Sequence, residues 1–162
     1  MVHKFVNDTA LINARQNRKV LHSKNILPDT VSWDEAFYHL DDLVNKKDNF
    51  EARRMFGIIT QTARNISRVN DVCKEIDIIE NRIDNNKPSD AHMYLSLTTQ
   101  YDGFGPHHDD CEVIFWQCIG KTQWDIEDTK YILSPGDCLY IPQGVVHGVT
   151  TLSPRMGISF GF

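Results

Sequence analysis

His107 and Asp109 stand one residue apart, and His147 follows forty positions after His107. An H-x-D pair with a distant histidine is the sequence form of the 2-His-1-carboxylate facial triad. Such a triad holds Fe(II) by one face and leaves the opposite positions open for a co-substrate and O2. The first pair sits in Gly103-Phe104-Gly105-Pro106-His107-His108-Asp109-Asp110, a turn-rich approach to the apolar run from Val113 to Cys118. His147 closes the stretch that begins at Gly136-Asp137-Cys138: a tight turn, a short apolar strand, and the turn Pro142-Gln143-Gly144. Three polar groups brought to one mouth carry a desolvation cost unless a cation uses them. On residues alone the register stays open, because His108 and Asp110 also form an H-x-D pair. His3, His22, His39 and His92 belong to no such pattern and read as packed or half-exposed histidines.

The elements that must position these groups change in character along the chain. Residues 1–89 are polar and helix-leaning. Trp33–Lys46 is amphipathic and opens with Ser32 and Glu35 in capping-box spacing. A second helical stretch, Ile66–Ile83, carries Val69, Val72, Cys73, Ile76 and Ile79 on one face. Arg54–Thr60 has the apolar character of a strand, and Asn85–Ser89 reads as a loop. Beyond it come short strands and turns: Met93–Thr99, a short strand at the H-x-D motif, Glu112–Cys118, Thr122–Glu127, Lys130–Leu133, Cys138–Ile141, His147–Thr151 and Met156–Phe162. Eight strands with turns at Ile119-Gly120, Ser134-Pro135-Gly136 and Pro142–Gly144 suit a small double-stranded β-helix, a jelly-roll barrel. The expected fold is mainly β with N-terminal helices. Residues 1–89 form an extension packed on a barrel of residues 90–162, within one structural domain.

Composition narrows the function. A chain of 162 residues with 41% hydrophobic content builds one packed core. A formal charge of −5 argues against nucleic-acid partners, which need a basic face. No apolar run approaches the ~20 residues of a membrane span, and Met1-Val2-His3-Lys4 opens no signal-peptide core. Cys73, Cys111, Cys118 and Cys138 show no C-x-x-C spacing and read as reduced thiols of a cytoplasmic protein.

The spacing G-x5-P-x-G-x2-H from Gly136 to His147 resembles the second cupin motif, with Thr151 where that motif usually has Asn. The run GFGPHHDDCEVIFWQCIGKTQW, from Gly103 to Trp124, resembles the metal-binding segment of JmjC-type oxygenases, and most closely their ribosomal-protein hydroxylase branch. Ser159-Phe160-Gly161-Phe162, opening twelve residues past His147, resembles that branch's last barrel strand. The resemblance covers residues 92–162. Its register selects His107: counted from there, Glu112, Val113, Gln117, Gly120 and Trp124 fall where the branch has matching types, and counted from His108 they do not. It implies a cupin-type barrel with Fe(II) on His107, Asp109 and His147 and with 2-oxoglutarate as co-substrate.

One departure bears on the co-substrate. The branch carries a Lys or Arg two residues after the glycine of its Q-x-x-G segment, to pair the far carboxylate; here that position is Thr122, and the lysine is Lys121. Trp124 and Ile126 mark the apolar face of their strand, so Thr122 points inward with them and Lys121 lies in the turn or outward. Arg155, four residues before Ser159, shares a face with it and is a second candidate cation. The reading is an Fe(II)- and 2-oxoglutarate-dependent oxygenase, a hydroxylase of a protein or small molecule. The alternatives are a metal-dependent cupin enzyme without 2-oxoglutarate, and a non-enzymatic ligand-binding cupin. The winged-helix and dimerisation regions that follow the barrel in the ribosomal hydroxylases have no counterpart before Phe162, so that substrate class is not expected to carry over. The helical part then has the makings of a lid or a homodimer face.

Overall fold

The structure, a computed structural model, describes residues 8–46, 50–53, 57–60, 63–80, 89, 91–99 and 104–162. It contains helices α1 (Thr9–Gln16), α2 (Trp33–Lys46) and α3 (Ser67–Ile79), with a 3-10 turn at Ala63–Asn65. The strands are β1 (Leu21–Ser23), β2 (Phe50–Arg53), β3 (Gly57–Thr60), β4 (Ala91–Ser96), β5 (Val113–Ile119), β6 (Thr122–Ile126), β7 (Thr129–Leu133), β8 (Cys138–Ile141), β9 (His147–Thr151) and β10 (Arg155–Gly161).

Local chemistry accounts for the helix starts. The Asp8 carboxylate accepts from Ala10 N at 2.8 Å and caps α1. At α2 the expected capping box forms: Glu35 accepts from Ser32 N at 2.9 Å, and Ser32 Oγ accepts from Glu35 N at 3.3 Å. No helix among the described residues is long and apolar enough to cross a membrane.

The strands form two antiparallel sheets, β1-β8-β5-β10-β4-β3-β2 and β7-β6-β9. Strand alternation gives the large sheet two working faces. Ile114, Trp116, Cys118, Tyr140, Met156, Ile158 and Phe160 point toward the helices and pack with Leu11, Val69, Val72 and Ile76. Phe115, Leu139 and Ile141 point the other way, against Trp124, Ile126 and Leu133 of the small sheet. β5 is buried almost throughout because both of its faces are covered. Gly120, at φ +69°, makes the β5–β6 turn close: a Cβ there would lie 2.0 Å from the Pro154 carbonyl oxygen.

This is the cupin-type jelly roll expected, with differences in detail. Seven strands follow residue 90, and the strand expected at the H-x-D motif is an isolated bridge, His107 to His147. Among the described residues the two sheets are not closed into a continuous barrel. The N-terminal part does more than pack on the barrel, because β1, β2 and β3 extend both edges of the large sheet. α1 and β1, too short to leave a periodic signal, were not expected. The second long helix spans Ser67–Ile79 rather than Ile66–Ile83; residues 81–83, 54–56 and most of the loop expected at Asn85–Ser89 lie outside the described residues.

Candidate metal centre

The three residues of the expected triad converge. One ligand atom from each of His107, Asp109 and His147 lies within 4.8 Å of the others. The two imidazole centroids are 4.5 Å apart, and His147 Nε2 is 3.6 Å from Asp109 Oδ2. The backbone produces this. His107 and His147 exchange N–H···O bonds of 2.9 and 2.8 Å, which sets the rings side by side. Gly144, at φ +81° in the Pro-x-Gly turn, donates its N–H to the Asp109 carbonyl at 3.0 Å.

Both histidines have their tautomer fixed. Nδ1 of His107 is 2.9 Å from the Gly105 carbonyl oxygen, and Nδ1 of His147 is 3.0 Å from that of Val145. A carbonyl only accepts, so each Nδ1 carries the proton and each Nε2 presents its lone pair. Burial holds the His147 imidazole below its ordinary pKa and the nearby His107 adds to this, outweighing the Val145 carbonyl and Asp109. His147 is 3% exposed, with Trp124 5.5 Å from its ring. Two neutral imidazole nitrogens and one carboxylate, aimed at one point, are a donor set that fits Fe(II) and similar divalent ions. His108 and Asp110, the other pair, are exposed and outside the cluster.

The expected co-substrate residues separate. Thr122 is fully buried, but its hydroxyl donates to Gln117 Oε1 at 2.8 Å and accepts from Trp124 Nε1 at 3.1 Å. Its proton is committed, which leaves none for a carboxylate. Lys121 is exposed and its N–H is tied to Ser153 Oγ. Arg155 is 4% exposed. Since Met156, Ile158 and Phe160 face the helices, Arg155, Gly157 and Ser159 face the barrel interior. Gly157 confirms that direction, because a Cβ there would lie 2.2 Å from Phe115 Cζ in the inner cluster.

Sequence reasoning missed Ser96. It pairs in register with Arg155, is fully buried, and its Oγ has no hydrogen-bond partner among the described residues. The signal was present in β4, where His92, Tyr94 and Ser96 alternate with the apolar Ala91, Met93 and Leu95.

Comparison with known proteins agrees with this architecture. Residues 91–157 match the model of the AraC-like ligand binding domain. The bifunctional lysine-specific demethylase and histidyl-hydroxylase NO66 of Aedes aegypti is 26% identical over 87 residues, 38% of this chain and 14% of that protein. Its counterpart in Drosophila persimilis is 32% identical over 83 residues, again 38% of this chain and 12% of the relative. The chain thus spans a small part of the curated relatives it matches. Among solved structures, the ribosomal oxygenase YcfD of Escherichia coli superposes with a TM-score of 0.68 at 17% identity, covering 93% of this chain and 50% of that one. YcfD in complex with cobalt and 2-oxoglutarate gives a TM-score of 0.51 at 23% identity over 65% of this chain and 31% of the other. Sequence relatives and structural neighbours point the same way, and the chain has the cupin jelly roll of the JmjC-type, ribosomal-hydroxylase-like proteins that its motif resembles.

Proposed function

We propose that the chain is the barrel of an Fe(II)- and 2-oxoglutarate-dependent oxygenase, a hydroxylase, with His107, Asp109 and His147 as its metal ligands. The observation that carries this is the convergence of the three groups with both Nδ1 atoms already bonded to carbonyls. The names of the relatives, histidyl-hydroxylase and ribosomal oxygenase, support it and favour a protein substrate. Fe(II) with 2-oxoglutarate supplies the chemistry of C–H hydroxylation by O2, in which the co-substrate leaves as succinate and CO2.

The protein's own groups bind, orient and keep the site dry. His107 and His147 present Nε2, and Asp109 supplies the single negative charge. Arg155 supplies the cation for the far carboxylate, with the Ser96 hydroxyl beside it and Ser159 on the same face nearer the triad. Its depth is right: Gln117, bonded to Thr122, reaches the carbonyl of Met156, next to Arg155, at 3.5 Å. This supports Arg155 as the cation, on a different strand from the one that carries it in the resembled branch. Phe115 and Trp124, 4.7 Å apart between centroids, pack against each other in the buried inner cluster. Four free cysteines, three of them buried, suit a cytoplasmic protein.

A second reading is a metal-binding cupin that does not use 2-oxoglutarate. The commitment of Thr122 to Gln117 and Trp124 favours it, as does the match to a ligand-binding domain. A thermal-shift experiment separates the two. In the first, a non-reacting 2-oxoglutarate analogue raises Tm only when Mn(II) or Co(II) is present; in the second, the metal alone does so and the analogue adds nothing.

A further inference from the structure

The segment bearing His107 and Asp109 is pinned at four places. His107 pairs with His147, the Asp109 carbonyl accepts from Gly144, the Asp110 carbonyl accepts from Gln143 Nε2 at 2.7 Å, and Glu112 exchanges two backbone hydrogen bonds of 3.0 Å with Phe162. The histidine rings are also oriented through Nδ1. No hydrogen-bond donor reaches the Asp109 side chain among the described residues; His147 Nε2, 3.6 Å away, presents a lone pair. The direction of that carboxylate therefore depends on the backbone anchors either side of it.

Arg15, in the last turn of α1, sits on the last of these anchors. Its Nε donates to Glu112 Oε2 at 2.7 Å, its Nη2 donates to Glu80 Oε1 at 2.7 Å, and its guanidinium lies 4.8 Å over the Phe162 ring. It thus grips both partners of the Glu112–Phe162 pair and ties them to Glu80, which caps α3. All three charged side chains are about one-quarter exposed, so their attraction is screened less than on an open surface. We infer that Arg15 is a positioning residue for the candidate metal centre: through Glu112 it fixes the end of the loop that aims Asp109. This rests on the metal-binding reading above, and it gives the N-terminal helix a role in the site.

The test is Co(II) binding to the full chain, followed by calorimetry and by the visible absorption of the bound ion, which reports ligand geometry independently of turnover. R15Q is expected to weaken Co(II) binding on the order of tenfold, the lower end of what loss of an outer partner costs a metal site, and to alter the visible bands. R15K, which restores a charge opposite Glu112, recovers most of both. E80Q, which cuts only the far end of the tie, leaves the bands as in wild type. If R15Q does not fold, E112Q carries the same test, since it spares the Arg15–Glu80 pair and the ring contact. Wild-type affinity and bands in R15Q and in E112Q, whatever happens to Tm, overturn the inference. Failure of the underlying reading looks different: wild type itself takes up no Co(II), or His147→Ala takes up as much as wild type. Either result leaves nothing for Arg15 to position.

Discussion

Replacing Arg155 by alanine removes the one buried lysine or arginine side chain among the described residues. It lies on the inner face of β10, level with Thr151 and Thr122 at the far end of the interior. Thr151 is four residues from His147 along β9, so Arg155 roots about 13 Å below the triad at ~3.3 Å per residue. On the proposed reading, the substitution at that separation should act on the far carboxylate of the co-substrate and not on the metal. A hydrogen bond to a charged group contributes roughly 1.5–3 kcal/mol, against about half that for a neutral hydroxyl such as Ser96. At about 1.4 kcal/mol per decade, Arg155→Ala should weaken 2-oxoglutarate binding on the order of ten- to a hundredfold. The carboxylate left without a cation in an apolar interior pushes the loss toward the upper figure.

Calorimetry on Co(II)-loaded protein reads this directly, with Co(II) affinity as the internal control. Thr122→Ala should cost much less, because its hydroxyl already gives its proton to Gln117. Lys121→Ala should cost nothing, because that side chain is in solvent. Equal 2-oxoglutarate affinity in wild type and Arg155→Ala would refute the assignment. So would a larger loss in Lys121→Ala, which requires a rearranged β5–β6 turn. Absence of 2-oxoglutarate binding by metal-loaded wild type at millimolar ligand transfers the case to the plain metal cupin.

Further expectations can be checked together. His107→Ala and His147→Ala should each lose stoichiometric metal by elemental analysis, while His108→Ala should keep it; the reverse for the two neighbours would move the pair to His108 and Asp110. Stability should fall as pH drops through the ordinary histidine range, because the unfolded chain binds a proton at His147 before the folded chain does, the folded pKa being depressed by burial. Denaturant midpoints from pH 8 to pH 5 test this, and bound metal should steepen the loss, since protons compete for the same nitrogens. Gly157→Ala places a methyl group 2.2 Å from Phe115 Cζ and should cost about 1–3 kcal/mol in chemical denaturation; an unchanged midpoint would mean that the ring moves freely.

The triad was legible because its signal is local in both halves. Pro-x-Gly and Gly-Pro-His set the turns, and an H-x-D pair needs no knowledge of its distant partner to be seen. That Arg155 and Ser159 share a face followed from alternation, and so did the inward direction of Thr122; that the Arg155 face is the interior one did not. What Thr122 does with its hydroxyl was not legible, because the Gln117–Thr122–Trp124 chain joins β5 to β6 across a turn and depends on rotamers rather than on spacing. Ser96 escaped for another reason: its importance comes from the β4–β10 register, and a single serine in a strand carries no hint of its partner. Arg15 is the extreme case. Its partners lie 65 and 97 residues away, and nothing in an eight-residue helix indicates that its last turn reaches the metal loop.

These long-range ties also explain why the polar N-terminal part belongs to the site's machinery. The large sheet turns one face to the small sheet and the other to the helices, so a residue at the sheet's end, such as Glu112, borders both layers. Before β5 the chain passes from the metal loop into the sheet, and a guanidinium there can touch carboxylates of both parts. The inner layer supplies His147, Trp124, Phe115 and Arg155, all of them buried. The outer layer supplies Arg15, which holds Glu112 at the end of the loop that carries Asp109. Two of the three candidate ligands are thus aimed by the barrel's own backbone, through the His107–His147 bridge. The third is anchored by Gly144 and Gln143 of the motif and, on the inference above, also by Arg15 of a helix outside it. On this division, changes in α1 should alter the carboxylate ligand's geometry while the two imidazoles keep theirs.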